Sequence, residues 1–451
     1  MKQWVSRNER YVFFLVVLAG LLAGVFWYHS RKVDVSQEAV VRAGVARDLL
    51  AGLVEGRQGL IGSLKWPPLP TLLILPLVRI PGLGGSGLGF PVLNAVLSAF
   101  TVTLLNTWWK GFGMPRVVRF PLLVLYQLSP PVIGAVLTGS SVTVMLLMLT
   151  AGAYFLLHWL KTLDVRSLAY LGVLGGLAIT TRYQAIVLVL VVGFLILVHV
   201  RRRREPSFRT GTLLAFLIPS IYTVLLWFIA NWLIMADPLF FLRGLSTQAR
   251  VRAEITELDV AWYLQLLPVL LVLIPQMLSG ERVRRRRARR TASLGLVVIV
   301  LVAAVGWPYV TEFVLTEEYE SYFGRHHERL RQVDEIVTHL EQRPEAKVFV
   351  SGYTGYHFVA RARNKDQFVH LMNLDLREIQ RRTRGQPLLF LVPRPKGLNR
   401  WEDINLQAPW LFDDYMKHVL ADRGLRMSFV LEKEWPDWHL VEAVRAEASK
   451  P

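Results

Sequence analysis

The stretch "FPVLNAVLSAFTVTLLNTWW" occupies residues 90–109 and holds no charged residue. A bilayer core about 30 Å thick takes roughly 20 apolar helical residues, so this run alone is long enough to cross one. It is followed by Lys110, Arg116 and Arg119, and comparable apolar runs recur from residue 11 to residue 311. As a soluble chain, 451 residues would suggest two or three domains. A hydrophobic content of 53% and a mean hydropathy of +0.36 point instead to a polytopic α-helical membrane protein.

The net charge of +18 is concentrated in "RRRR" (201–204) and "RVRRRRARR" (282–290), each wedged between apolar runs. Short cytoplasmic loops carry such clusters, which argues against a nucleic-acid partner. The chain has no cysteine, so disulfides and cysteine–zinc sites are excluded. The first run, "YVFFLVVLAGLLAGVFWY" (11–28), follows Lys2, Arg7 and Arg10. It ends in Trp27 and Tyr28 without a small-residue cleavage site, so it reads as a retained span with a cytoplasmic N-terminus.

The basic loops then thread the chain. Crossings are expected at 11–28, 90–109, 120–137, 140–160, two within 167–200, 211–235, 262–279 and 294–311, nine in all. The run 69–80 is short, contains Pro76 and ends near Arg79. It reads as an interfacial or partly embedded helix closing an external loop at 29–89. Asn94, Asn106, Gln127 and Asn231 are expected to bond between helices. This threading makes residues 1–311 a transmembrane domain of about nine helices.

After residue 311 the apolar runs shrink to strand length, as in "KVFVSG" (347–352), "PLLFLV" (387–392) and "MSFVLE" (427–432). Helical patterns at 319–342, 373–384 and 407–423 alternate with them. Residues 312–451 therefore read as a small extracytoplasmic α/β domain. "SGYTGY" is too loose for a phosphate-binding fingerprint, and the neighbours His326 and His327 point about 100° apart on a helix, a poor metal pair.

The external loop carries the most chemistry. It opens "SRKVDVSQEAVVRAGVARDLL" (30–50) and ends "LKWPPLP" (64–70). Asp34 and Glu38 are four apart and share a face if the segment is helical, with Arg42 continuing it. Val40, Val41, Val45, Leu49 and Leu50 suit a helix lying on the membrane surface. A carboxylate can serve as general base on a hydroxyl, a lysine is a compact phosphate partner, and prolines can fix the direction of Lys65. An ordinary surface helix would carry the same residues. "GGLAITTRYQA" (175–185) puts Arg182 at an external turn, where an ionisable group is a functional candidate. "NWLIMADPLFFL" (231–242) puts Asp237 where a span leaves the membrane, a place where Asp-Pro also simply stops helices.

Together these elements resemble the GT-C superfamily, polytopic glycosyltransferases that use polyprenyl-phosphate sugars, in the style of protein O-mannosyltransferases and aminoarabinose transferases. The resemblance covers roughly residues 8–260 and rests on four motifs in order: the acid after the first span, Lys-x-Pro-Pro-Leu, "GLAxxTR" and "N…DPLxFL". It implies transfer to a glycan, lipid or protein acceptor on the extracytoplasmic face of the plasma or inner membrane. It makes Asp34 the acidic residue after the first span, serving as general base or at a metal-dependent centre, Lys65 a donor-phosphate contact, Arg182 a candidate second such contact, and Asp237 a loop position. Trp66 fits an acceptor contact or, better, the lipid interface. Many relatives carry an Asp-Glu pair at the first position, whereas Val35 follows Asp34 here. Glu38 is the candidate second carboxylate, and a divalent metal ion stays open as a cofactor. Rival readings are a transporter or flippase of a lipid-linked anion, which predicts an inverted repeat that the sequence lacks, a non-catalytic envelope scaffold, and a surface-polysaccharide polymerase or ligase.

Overall fold

The computed structural model describes residues 9–30, 35–61, 67–84, 87–111, 114–183, 185–201, 206–242, 331–351, 354–371, 386–395, 404–405, 408, 410–414, 420–422 and 425–445. The expected crossings at 262–279 and 294–311 lie outside the described residues, as do the expected helix at 373–384 and His326 and His327.

The first half is helical. In chain order the helices are α1 (Glu9–Ser30), α2 (Gln37–Leu50), α3 (Val54–Ile61), α4 (Pro68–Val78), α5 (Gly89–Gly111), α6 (Arg116–Leu128), α7 (Pro130–Thr138), α8 (Val142–Thr162), α9 (Val165–Thr181), α10 (Ala185–Arg201) and α11 (Pro206–Met235). Four of these, α1, α5, α8 and α11, are long and apolar enough to cross a membrane. Helices α6 and α7 make a fifth if counted as one span, although they bend by 49°. This fits an integral membrane protein. Helices α9 and α10 are apolar but shorter, at 17 residues each, and α4 has only 11.

The run at 120–137 reads as one crossing in the sequence, and in the structure it is bent at Ser129. Ser129 takes φ −57° and ψ 133°, because a proline ring clashes with a preceding residue in the helical region. Pro130 then starts a new helix. Elsewhere small residues set the packing. A Cβ on Gly172 of α9 would lie 2.2 Å from the Phe216 carbonyl oxygen of α11, and one on Gly176 would lie 2.5 Å from Thr223 Oγ1. Such close approach between helices is how membrane bundles gain contact without a hydrophobic driving force.

The polar residues behave as expected in part. Asn94 Nδ2 donates to the carbonyls of Ala135 (2.9 Å) and Ser140 (2.8 Å), and Ser98 Oγ donates to Gln127 Oε1 (2.8 Å). Asn231 instead donates back to Trp227 O of its own helix at 2.9 Å.

The C-terminal half holds a six-stranded mixed sheet of order β2-β1-β3-β6-β5-β4. Its strands are β1 (Lys347–Ser351), β2 (Phe368–Leu371), β3 (Leu388–Pro393), β4 (Leu420–Asp422), β5 (Leu425–Trp435) and β6 (Trp438–Arg445). Strand β1 runs parallel to β2 and β3, and the β3–β6, β6–β5 and β5–β4 pairs are antiparallel. All six residues of β3 are buried, the signature of a strand covered on both faces. One face packs Val348, Val350 and Leu389 under the helix α12 (331–341), through Val333, Ile336 and Leu340. The other packs Phe349, Phe390 and Val441 against Leu411 and Phe412. Short helices α13 (Gly355–Arg361) and α14 (Trp410–Asp413) complete the described part. Within the expected helix at 407–423, the described residues form α14 and, at its C-terminal end, strand β4 in place of helix.

Candidate functional site

Helix α2 is the centre of the site. The Ser36 hydroxyl accepts from the Ala39 amide at 3.1 Å and caps the helix, which begins at Gln37. The expected face shared by Asp34 and Glu38 falls partly outside the described residues. Asp34, Lys65 and Trp66 lie outside the described residues.

The membrane-surface helix is also corrected. Val40, Val41 and Val45 are buried, and so are the charged Glu38, Arg42 and Asp48. The apolar side chains of α2 meet Ile74 of α4, Phe90 of α5 and Tyr356 of α13. A helix walled in on several sides must pair its charges, since an unpaired buried charge is prohibitively costly. It does so at two places, one near each end.

At the first, Arg42 is 1% exposed. Its Nε donates to Glu38 Oε1 at 2.9 Å, and its Nη1 donates to the Pro67 carbonyl at 2.7 Å and to Thr71 Oγ1 at 3.0 Å. The other carboxylate oxygen, Glu38 Oε2, accepts from the Ser141 amide at 3.2 Å and the Ser140 hydroxyl at 3.3 Å, just ahead of α8. Arg182 ends α9, and its Nε lies 3.4 Å from Ser141 Oγ. Burial works against ionisation of Glu38, but the Arg42 and Arg182 guanidiniums and the Ser141 amide outweigh it and hold the carboxyl below its ordinary range. Burial also weakens the hold of Arg42 on its proton, and Glu38 opposes that.

Three stretches far apart in sequence thus meet in one bonded cluster: the loop helix, the proline end of "LKWPPLP" and the "TTR" turn. The fourth stretch joins through an aromatic. Phe241 stacks on Tyr183 at 5.5 Å and packs with Trp227 and Ile61. Asp237 itself accepts from the Leu239 amide at 3.0 Å, the arrangement of a helix stop. All these groups lie at one end of the bundle. The same end holds His29 at the close of α1, its Nε2 3.0 Å from Leu137 O.

No protein-family model, curated protein or solved structure matches the chain. The site is therefore read from its own residues.

At its far end α2 meets the sheet domain. Asp48 Oδ2 accepts from the Tyr356 hydroxyl at 3.0 Å and lies 3.4 Å from His370 Nδ1, while Asp48 Oδ1 accepts from Arg47 Nη2 at 2.7 Å. The Tyr356 and His370 rings lie 3.8 Å apart. Gly44 admits this contact, because a Cβ there would fall 2.0 Å from the Tyr356 ring. Burial raises the Asp48 carboxyl, but hydrogen bonding to His370 and the Arg47 charge bring it below its ordinary range. Burial pulls His370 down, against the opposing pull of Asp48. Asp48 and His370 thus face each other at 3.4 Å, each held below its ordinary range.

Sequence reasoning missed Ser140, Ser141, Thr71, Tyr183 and Phe241, and it gave Arg42 only a supporting place. The signal available for Arg42 was its spacing of four from Glu38. The described residues contain no group of three or more His, Asp or Glu placed to hold a metal ion. The one carboxylate among the described residues of the cluster, Glu38, already has both oxygens engaged, so these residues do not fit a metal site.

Proposed function

We propose that this protein is a membrane glycosyltransferase that moves a sugar from a polyprenyl-phosphate donor to an acceptor hydroxyl on the extracytoplasmic face. The observation that carries this reading is the convergence of the loop helix, the Pro67 end of the lysine–proline element and the Arg182 turn in a single charged cluster at one end of an apolar bundle. These are the stretches whose order resembles the GT-C superfamily. A site for a lipid-borne phosphate needs cations at the membrane boundary, held in place by buried partners rather than by water.

In this reading Asp34 takes the proton of the acceptor hydroxyl. The acceptor oxygen forms its bond to the anomeric carbon as the bond to the phosphate oxygen breaks, with inversion. The departing polyprenyl phosphate keeps the electron pair of that bond, and Lys65 and Arg182 neutralise its charge. Preorganised donors at a developing anion contribute about 3–4 kcal/mol each.

Glu38 serves this site by positioning. A general base needs a free lone pair and a pKa near the working pH, whereas Glu38 is buried, bonded at both oxygens and held ionised. Its work is to hold Arg42, which in turn holds Pro67, two residues from Lys65. Threading by charge sets the N-terminus in the cytoplasm and the sheet domain outside, where it meets the loop helix and helps shape the acceptor side.

The test is donor dependence. Lys65→Ala and Arg182→Ala should raise the donor KM in membrane vesicles supplied with polyprenyl-phosphate sugars. Unchanged donor KM in both variants would remove the phosphate role and with it the reading of the cluster.

A further inference from the structure

A second charged cluster lies at the other end of the bundle. Glu9, in the first turn of α1, receives three cations: Lys110 Nζ at 3.0 Å, Arg116 Nη2 at 2.9 Å and Arg119 Nη2 at 3.0 Å. Helix α5 separates this cluster from the Glu38 site, and its 23 residues span roughly 34 Å at about 1.5 Å per residue. That is close to the thickness of a bilayer core, so the two clusters belong to opposite membrane boundaries.

The chemistry of the two differs. Three cations on one carboxylate leave a balance of two positive charges. Arg119 is only 2% exposed, and its Nε has no hydrogen-bond partner among the described residues. Its other nitrogens reach Glu9 and, at 3.4 Å, the Met114 carbonyl. Arg116 and Lys110 are outward, with side chains 62% and 56% exposed. An arginine has five donors and a lysine three, and each of these two makes one bond to Glu9. A buried cation at the base and two outward cations above it, with donors to spare, suit a phosphate.

The exposed apolar surface beside them decides which phosphate. Val117, Val124, Leu125 and Leu128 are all exposed. Their spacing of seven, one and three residues puts them on one broad face of α6, about a third of a turn round the helix from Arg116. From Val117 to Leu128 the stripe runs roughly 16 Å along the helix, about the reach of an acyl chain. Basic pockets between membrane helices are a known setting for anionic head groups.

We propose that Lys110, Arg116 and Arg119 form a binding site for the phosphate of an anionic phospholipid, whose acyl chains lie along the exposed face of α6. The site is separate from the proposed transfer reaction and would exist in a protein with any other activity. A free phosphate offers the same head-group chemistry but nothing for the apolar stripe.

The full-length protein, purified in detergent and mixed with equal amounts of phosphatidylglycerol and phosphatidylcholine, is examined by native mass spectrometry. We expect retention of phosphatidylglycerol several-fold above phosphatidylcholine. Lys110→Gln combined with Arg116→Gln changes only exposed side chains and should remove that preference while leaving lipid-free thermal unfolding in place. Millimolar inorganic phosphate should not displace the lipid. Equal retention of the two lipids, a preference that survives the double variant, or displacement by inorganic phosphate would each overturn the proposal.

Discussion

Arg42 Nη1 donates to the carbonyl oxygen of Pro67 at 2.7 Å, joining a buried helix to the end of the lysine–proline element. The same nitrogen also holds Thr71, and Nε holds Glu38. A lysine could keep the charge but has no planar fork to serve these acceptors together. Arg42→Ala should cost about 3–5 kcal/mol, since it leaves a buried carboxylate uncompensated. Arg42→Lys should be less destabilising yet still lose most donor-dependent activity. Thermal unfolding and transfer assays on the two variants check this. Full activity in Arg42→Lys would show that the tether to Pro67 is dispensable.

Glu38→Gln separates positioning from catalysis. It removes the charge that balances Arg42 but keeps an amide oxygen able to accept a hydrogen bond. The variant should unfold at lower temperature, while the folded protein keeps the acid limb of its pH–rate profile. Loss of that limb with unchanged stability would make Glu38 the base.

The Asp48–His370 contact gives a pH dependence. Burial lowers the folded pKa of His370 below its unfolded value of about 6.5. A group with a depressed pKa contributes stability that is complete above the unfolded value and is lost as pH falls below it. Asp48, also depressed, is lost only below about 3.9. The other groups at this contact are Arg47, Tyr356 and Lys365, and burial lowers Lys365 as well, with Arg47 adding to it. Amide exchange across Gly355–Arg361 should therefore quicken at pH 5.5 relative to pH 7.5, after correction for intrinsic rates, and His370→Asn should remove the difference. Equal protection at both pH values in the unmutated protein would contradict this coupling.

Gly44 tests whether helix α2 and the sheet domain are packed together in solution. Gly44→Ala forces a methyl into the Tyr356 ring, and overpacking of this kind costs about 1–3 kcal/mol. In a Tyr356→Ala background the cost should vanish, so a double-mutant cycle by thermal unfolding reads the contact directly. Additive effects would mean that the two residues do not touch.

Much of the bundle was legible because long apolar runs say where a helix must lie. The break at Ser129 was hidden by the same feature, since the run stays apolar through a Ser-Pro-Pro sequence that only local sterics interrupt. The burial of α2 was not legible at all. Its partners Ile74, Phe90 and Tyr356 come from three distant elements, and valines at helical spacing look alike on a membrane surface and in a packed wall. In the sheet domain β1, β3 and β5 announced themselves by apolar runs. Strand β6, "WHLVEAVR", is interrupted by Glu442 and ends in Arg445, and it reads as strand only beside its partners. At the site, spacing exposed Glu38 and Arg42, but Ser140 and Ser141 act through a backbone amide and a hydroxyl that no motif marks.

The central claim is that an external carboxylate drives transfer from a lipid-linked donor. The most direct measurement is sugar transfer in membranes from a panel of polyprenyl-phosphate sugars, with and without chelator, comparing the unmutated protein with Asp34→Asn. The account predicts transfer from at least one donor and its loss in Asp34→Asn at equal membrane insertion, with the chelator arm reporting whether a divalent ion takes part. Undiminished transfer by Asp34→Asn, or no transfer from any lipid-linked sugar by the unmutated protein, would contradict it.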